Sequence, residues 1–335
     1  MPLGALLALA VLVVPALARR DPQLADALPT RRVTHIGISA EISHQNDFVD
    51  STGHVLSSPE PLGSVCLSCG PALAQRYDTV DDGGVQPSSM FRQLRIAVVV
   101  PAFNEAQKIA ATVASIPNYV DDIFVIDDAS TDDTSAHASV AHATPVHVVR
   151  HDQNRGVGGA IAIGYRRALA SGADVAVVMA GDGQMDPSDL PALLAPIADG
   201  VADYVKGNRF KHPEIWSAMP KSRIVGNALL SAATRVTSGY THVFDSQCGY
   251  TAIHRRAIEA IDLDVLWSRY GYPNDLLSRL YVAGVRVVDV PVRAIYGEHW
   301  RSGINVGTVL HPLPWVLLRS WGNRIAAQAR KRARG

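Results

Sequence analysis

Residues 96–128 read IAVVVPAFNEAQKIAATVASIPNYVDDIFVIDD. Two apolar runs, IAVVVPA and IFVIDD, enclose a stretch over residues 105–115 that suits a helix. The order strand, helix, strand then repeats down the chain. VHVVR at 146–150 is a third strand, followed by a glycine turn and a helix to about Ala170. DVAVVMA at 174–180 is a fourth strand. The strands are apolar throughout rather than alternating, as expected when both faces of a sheet are covered. The predicted class is therefore α/β, a mostly parallel sheet with helices on both faces. Ligands of such sheets bind beyond the carboxyl ends of the strands. The polar clusters fall there: FNE after the first strand, DDAS after the second, HDQNRG after the third and GDGQ after the fourth.

Each cluster has a structural and a chemical reading. Asp127 and Asp128 end the second strand, where a carboxylate can accept hydrogen bonds from a base or a ribose. Ser130 and Asp133 have capping-box spacing, and Asp132 suits a helix start, so these three are assigned to structure. Asn154, Arg155 and Gly156 open NRGVGGA, which reads as a tight turn with close helix packing or as a backbone cradle for a nucleotide. A dinucleotide fingerprint is excluded there, because Ile161 replaces the third glycine and the motif follows the third strand. In GDGQMDP, Asp186 before Pro187 reads as an N-cap. Asp182 and Gln184 lie two residues apart and can point the same way. Such hard oxygen ligands suit Mg²⁺ or Mn²⁺, with phosphate and water completing the shell.

The chain has 335 residues, 47% apolar and 19% charged, with a net charge of zero. No global basic field points to nucleic acid. The three cysteines, Cys66, Cys69 and Cys248, form no disulfide framework and no zinc ribbon, which fits a reducing compartment. Residues 1–89 hold an apolar start followed by a segment with little periodicity. That segment reads as a disordered extension, and Met90 reads as the opening of the functional protein, residues 1–89 being dispensable or a mis-assigned start. Residues 90–305 form the predicted domain, and residues 306–335 a basic amphipathic tail. The apolar run VLHPLPWVLLRSW is shorter than the roughly 20 residues a crossing helix needs. From Arg319 onward there are six positive side chains and no acid. Residues 308–335 are therefore expected to lie on a membrane surface, with Trp315 and Trp321 at headgroup level.

Seven motifs in one order, VVVPAFNEA, VIDDASTDDT, NRGVGGA, DGQMDP, GNRF, DSQCGY and YGYPNDLL, resemble the family 2 glycosyltransferases of the GT-A fold. The likeness is to their polyprenyl-phosphate hexosyltransferases, such as dolichyl-phosphate mannose synthase. It implies that Pro101, Asn104, Glu105, Asp127 and Asp128 hold the nucleotide of a nucleotide-sugar donor. It implies a metal and diphosphate turn at Asp182 and Gln184, with Ala180 where such enzymes carry a first acid. Arg209 and Arg223 match positions near substrate phosphates, Arg223 on the acceptor side. Asp245 and Asp275 match acidic positions near sugar and acceptor, and with Asp182 are the candidate catalytic residues. Arg301 matches an acceptor-side loop that here lacks its lysine. The implied reaction is inverting transfer of a hexose, GDP-mannose being favoured over UDP-glucose, to a polyprenyl phosphate at the cytoplasmic face of the membrane. An ionised phosphate acceptor needs no strong base. A sugar-hydroxyl acceptor would need one, with Asp245 first and Asp275 second as candidates. A non-catalytic nucleotide-sugar binder is the third reading, raised by Ala180.

Overall fold

The computed structural model describes residues 91, 93–215, 219, 221–295 and 312–333. The expectations placed on residues 1–89, on Met90, on Cys66 and Cys69, and on Arg301 lie outside these residues.

The chain runs β1 (Ile96–Ala102), α1 (Ile109–Ser115), β2 (Asp122–Asp127), α2 (Thr134–Ala138), β3 (Val146–Arg150), α3 (Val157–Ala170), β4 (Val175–Val178) and α4 (Leu190–Ala198). It continues with β5 (Tyr204–Asn208), α5 (Lys221–Ser238), β6 (Thr251–His254), α6 (Arg255–Glu259), α7 (Tyr272–Ala283), β7 (Val287–Pro291) and α8 (Leu313–Arg332). The seven strands form one sheet in the order β3-β2-β1-β4-β6-β5-β7. β1 pairs in parallel with β2 and β4, while β6 runs antiparallel between β4 and β5.

Alternation along β1 explains the two cores. Ile96, Val98 and Val100 face one cluster with Ile109, Val113 and Leu193, from α1 and α4. Ala97 and Val99 face the other with Ile161, Tyr165 and Leu276, from α3 and α7. Both faces of the strand are thus out of water, which is why it reads as an unbroken apolar run. On the second face α3 sits very close to β1. A Cβ on Gly164 would lie 2.1 Å from Val99 Cγ1, so only glycine fits there.

The first helix begins at Ile109, four residues later than residue 105. Its leading segment is pinned to the loop after β2 instead. The backbone N–H of Asn104 donates to Ser130 Oγ (2.9 Å), that of Glu105 to Thr134 Oγ1 (2.8 Å) and that of Ala106 to Asp132 Oδ2 (3.2 Å). Ser130 is therefore a cross-loop acceptor rather than half of a capping box, and Asp133 makes no side-chain cap. Asp186 does cap as read, accepting from Ser188 N (2.9 Å) with Pro187 following.

Candidate active site

A cavity of about 790 Å³ opens beyond the carboxyl ends of β1 and β4. It gathers side chains from four segments of the chain. Pro101, Asn104 and Glu105 come from β1 and its loop, Asp182 and Gln184 from the turn after β4, Arg209 from the end of β5, and Arg223 from the first turn of α5. Asn104 adopts a left-handed backbone (φ 57°) and is held there from both sides. Its N–H meets Ser130, and its side-chain Oδ1 accepts from Thr131 N at 2.8 Å.

The turn after β4 is built on two glycines. Gly181 N–H donates to Pro101 O at 3.1 Å, and a Cβ there would lie 2.8 Å from Ile109 Cδ1. Gly183 has φ +71° and turns the chain back. Asp182 Oδ1 accepts from Gln184 N (3.1 Å), and Oδ2 from the Gln184 side-chain amide (2.6 Å). Burial pushes the Asp182 carboxyl above the usual carboxylate range, opposed by the Gln184 N–H and the charge of Lys108. Glu105 is raised as well, by burial first, with Lys108 pulling it down and Asp182 and Asp132 pushing it up.

Asp127 and Asp128 are buried and do not line the cavity. Asp127 accepts from Ser130 N (2.8 Å), from the Ser135 hydroxyl and from Arg150 (2.8 Å). Burial alone would raise its carboxyl, but the two serines and Arg150 outweigh that and hold it low. Asp128 accepts from the backbone N–H groups of Arg155 (2.8 Å) and Gly156 (2.7 Å) and pairs with His151 Nδ1 (2.8 Å). Asn154 donates to the Asp128 carbonyl. The acid pair thus ties the loops after β2 and β3 together. Asn154, Arg155 and Gly156 are turned toward Asp128 and do not line the cavity.

Asp245 is fully buried behind Arg209. Its two oxygens take Arg209 Nε (2.7 Å) and Nη2 (3.0 Å) in a fork, and Arg209 N at 3.1 Å. Burial would raise this carboxyl, but Arg209 and the nearby Lys206 lower it further than burial lifts it. Asp245 does not line the cavity; it sets the plane of a guanidinium that does. Asp275 is buried at the start of α7, where Oδ2 accepts from Trp267 N and Arg279 Nε, both at 2.9 Å. It does not line the cavity, though its neighbours Gly271, Tyr272 and Pro273 do.

Residues not singled out in the sequence also line the wall, among them Lys108, Gln247, Tyr270 and Arg293. Gln247 belongs to the quoted DSQCGY and Tyr270 opens the quoted YGYPNDLL, so motif position held a signal for both. Lys108 and Arg293 carry none; they reach the cavity only through loop geometry.

The chain matches the glycosyl transferase family 2 model over residues 97–262. It is 32% identical over 227 residues to the UDP-N-acetylglucosamine–dolichyl-phosphate N-acetylglucosaminyltransferase of Methanococcus voltae, covering 63% of this chain and 90% of that protein. It is 33% identical over 237 residues to the undecaprenyl-phosphate mannosyltransferase of Micrococcus luteus, covering 68% and 96%. This chain belongs to glycosyl transferase family 2. The glycosyltransferase has the GT-A fold of glucosyl-3-phosphoglycerate synthase from Mycobacterium tuberculosis. The structure of that enzyme with Mg²⁺ and UDP superposes with a TM-score of 0.52 at 22% identity, over 70% of this chain and 82% of that one. Its complex with Mn²⁺, UDP-glucose and phosphoglyceric acid gives 0.51 at 24%, over 73% and 86%.

The glycosyltransferase's own donor set limits how it can hold a cation. Among the described residues no cluster of three or more His, Cys, Asp or Glu side chains is placed to bind a metal. What the cavity offers is Asp182, a carboxyl that burial raises above its usual range, and the Gln184 amide beside it. Both are hard oxygen donors once the amide is turned, and they fit Mg²⁺ or Mn²⁺ if substrate phosphate and water supply the remaining ligands. A cation held there supplies Lewis-acid neutralisation of a leaving diphosphate.

Proposed function

We propose that this glycosyltransferase moves a sugar from a nucleoside diphosphate to the phosphate of a polyprenyl phosphate, with inversion by a single displacement. One observation carries the reading. The acids that line the cavity, Glu105, Asp132 and Asp182, all belong to the loops after β1, β2 and β4. Among the described residues, the opposite wall, from Arg209 through Arg223 and Gln247 to Pro273, has arginines and no carboxylate. A hydroxyl acceptor on that wall would find no carboxylate base among the described residues. A phosphate acceptor arrives ionised, needs none, and is drawn by guanidinium groups. The two relatives named for polyprenyl-phosphate acceptors support the same reading.

In this reading Pro101, Asn104 and Glu105 contact the nucleotide, and Asp182 with Gln184 holds the cation and diphosphate. Arg209, oriented by Asp245, neutralises charge on the leaving group. Arg223 receives the acceptor phosphate. Asp127 and Asp128 act behind them, by fixing the loops that carry Asn104 and Gly156. The donor is tested directly. GDP-mannose, UDP-glucose and UDP-N-acetylglucosamine are each offered with undecaprenyl and dolichyl phosphate, and lipid-linked sugar is measured. Product with one donor, lost on EDTA and restored by Mg²⁺ or Mn²⁺, is the expected result. Glycan product without lipid product would replace the lipid acceptor by a hydroxyl one. Binding without turnover would leave a nucleotide-sugar binder.

A further inference from the structure

The 18 residues of α5 and the 20 of α8 contain no acidic side chain. They carry eight cationic ones: Lys221, Arg223, Arg235, Arg319, Arg324, Arg330, Lys331 and Arg332. The two helices pack side by side, joined where Arg324 donates to the backbone carbonyls of Val236 (3.0 Å) and Thr237 (3.1 Å).

Each helix buries one side and shows an apolar one to solvent. On α5 the outward stripe at helical spacing is Val225, Ala228, Ala232 and Val236, with Val225 57% and Val236 59% exposed. On α8, Leu313, Val316 and Leu317 are buried against the domain. The outward side holds Trp315 (58% exposed), Ile325 (44%) and the exposed Ala326 and Ala329. Phe244, just beyond α5, is also exposed, with the Arg235 guanidinium 4.7 Å from its ring centre. Apolar stripes on two adjoining helices whose charged side chains are all basic mark an interaction surface rather than an ordinary solvated one. Its neighbour is the cavity: Arg223 lines that cavity, and Val225, two residues on, faces out.

We propose that the joined outer faces of α5 and α8 rest on an anionic bilayer, with the apolar stripes at the acyl boundary and the arginines among the headgroups. The charge complementarity selects the occupant. A second copy of this surface would bring cations against cations, whereas an anionic leaflet contributes about 1 kcal/mol of attraction per basic residue. Among the described residues no helix is long and apolar enough to cross a membrane, so contact is interfacial. The inference deepens the lipid-phosphate reading, because it places the Arg223 end of the cavity at headgroup level. It also relocates the membrane contact expected of residues 308–335 alone: the first apolar residues of α8 serve the domain core, and α5 supplies the missing lipid-facing side.

The test uses the full chain and the double variant Val225→Glu/Val236→Glu, both positions being exposed and outside the cavity. Co-sedimentation is measured with phosphatidylglycerol-containing vesicles and with pure phosphatidylcholine vesicles. Turnover is measured on a short-chain, water-soluble prenyl phosphate. The expected result is binding of the wild type to the anionic vesicles, at least a tenfold loss in the variant, and soluble-substrate turnover within twofold. Equal vesicle binding by both proteins, or none by the wild type, overturns the proposal. A wild-type dimer that the variant dissociates, with vesicle binding unchanged, overturns it in favour of a second copy. If no prenyl phosphate is glycosylated but the vesicle loss occurs, the acceptor reading fails and the membrane surface stands.

Discussion

Asp182 sits largely out of water, with the Gln184 amide on one oxygen and Lys108 the cation acting on it. The sign of its effect on stability follows. An acid whose folded pKa is raised binds its proton more tightly in the folded state. It therefore adds stability below its unfolded pKa and loses it as pH climbs through the folded one. Asp182→Asn should raise Tm at pH 7, and the gain should shrink as pH falls through the raised folded pKa and the wild type takes up its own proton. The same variant should lose nearly all transfer activity, because no other carboxylate remains in that turn. Activity within twofold of wild type would remove Asp182 from the cation site, and an unchanged or lowered Tm at pH 7 would remove the desolvation argument. Arg223→Ala tests the opposite wall. A charge-assisted hydrogen bond is worth about 1.5–3 kcal/mol, so KM for polyprenyl phosphate should rise roughly ten- to a hundredfold. Donor affinity, measured by titration of the nucleotide sugar, should barely change; its collapse would assign Arg223 to the diphosphate. Asp245 shows where sequence reading stops at this scale. A motif can say that an acid stands near the sugar, but not that Arg209 closes both its oxygens. That depends on β5 and the loop before β6 meeting, residues 36 apart in sequence.

Most of the strands that were legible have both faces covered, though the partly buried edge strand β3 also stands where its sequence placed it. β1, β2 and β4 read as apolar runs and stand where expected. β5 is short, and its sequence YVKGN carries a lysine and an asparagine, yet all five residues are buried. The Lys206 ammonium donates to the Cys248 carbonyl, and Asn208 to Asp289, so partners rather than side-chain type permit that burial. β6 reverses direction between two strands, which no local pattern announces. α8 is an intermediate case, since its apolar run was visible but its partner was not. Leu317 is buried against the domain while Ile325, two turns later, is exposed. Leu317→Ala should therefore cost about 2–4 kcal/mol, a fall in Tm of roughly 5–15 °C. Ile325→Ala should stay within about 0.5 kcal/mol of wild type. Thermal melts of the two variants settle the matter, and equal, small effects would mean that α8 is not part of the core.

At the scale of the whole molecule the net charge of zero conceals a division. α5 and α8 hold eight cations and no acid, so the remainder of the chain carries a net −8. A protein read by its total charge alone would have no electrostatic preference for an anionic surface. A protein with eight cations and no acid on two adjoining helices does, provided the surface lies nearer those helices than a screening length. That length is about 10 Å at 0.1 M salt and about 3 Å at 1 M. Raising NaCl from 0.1 to 1 M should therefore weaken binding to phosphatidylglycerol vesicles severalfold or more. A residual, salt-resistant part should remain, from the apolar stripes. Turnover of a short-chain soluble acceptor should respond less, because Arg209 is paired within the fold at hydrogen-bond distance and is shielded from bulk ions. Parallel salt titrations of sedimentation and of soluble turnover make the comparison. If the two fall together, the salt acts at the cavity and not at the helices. If vesicle binding does not fall at all, the division of charge has no part in it.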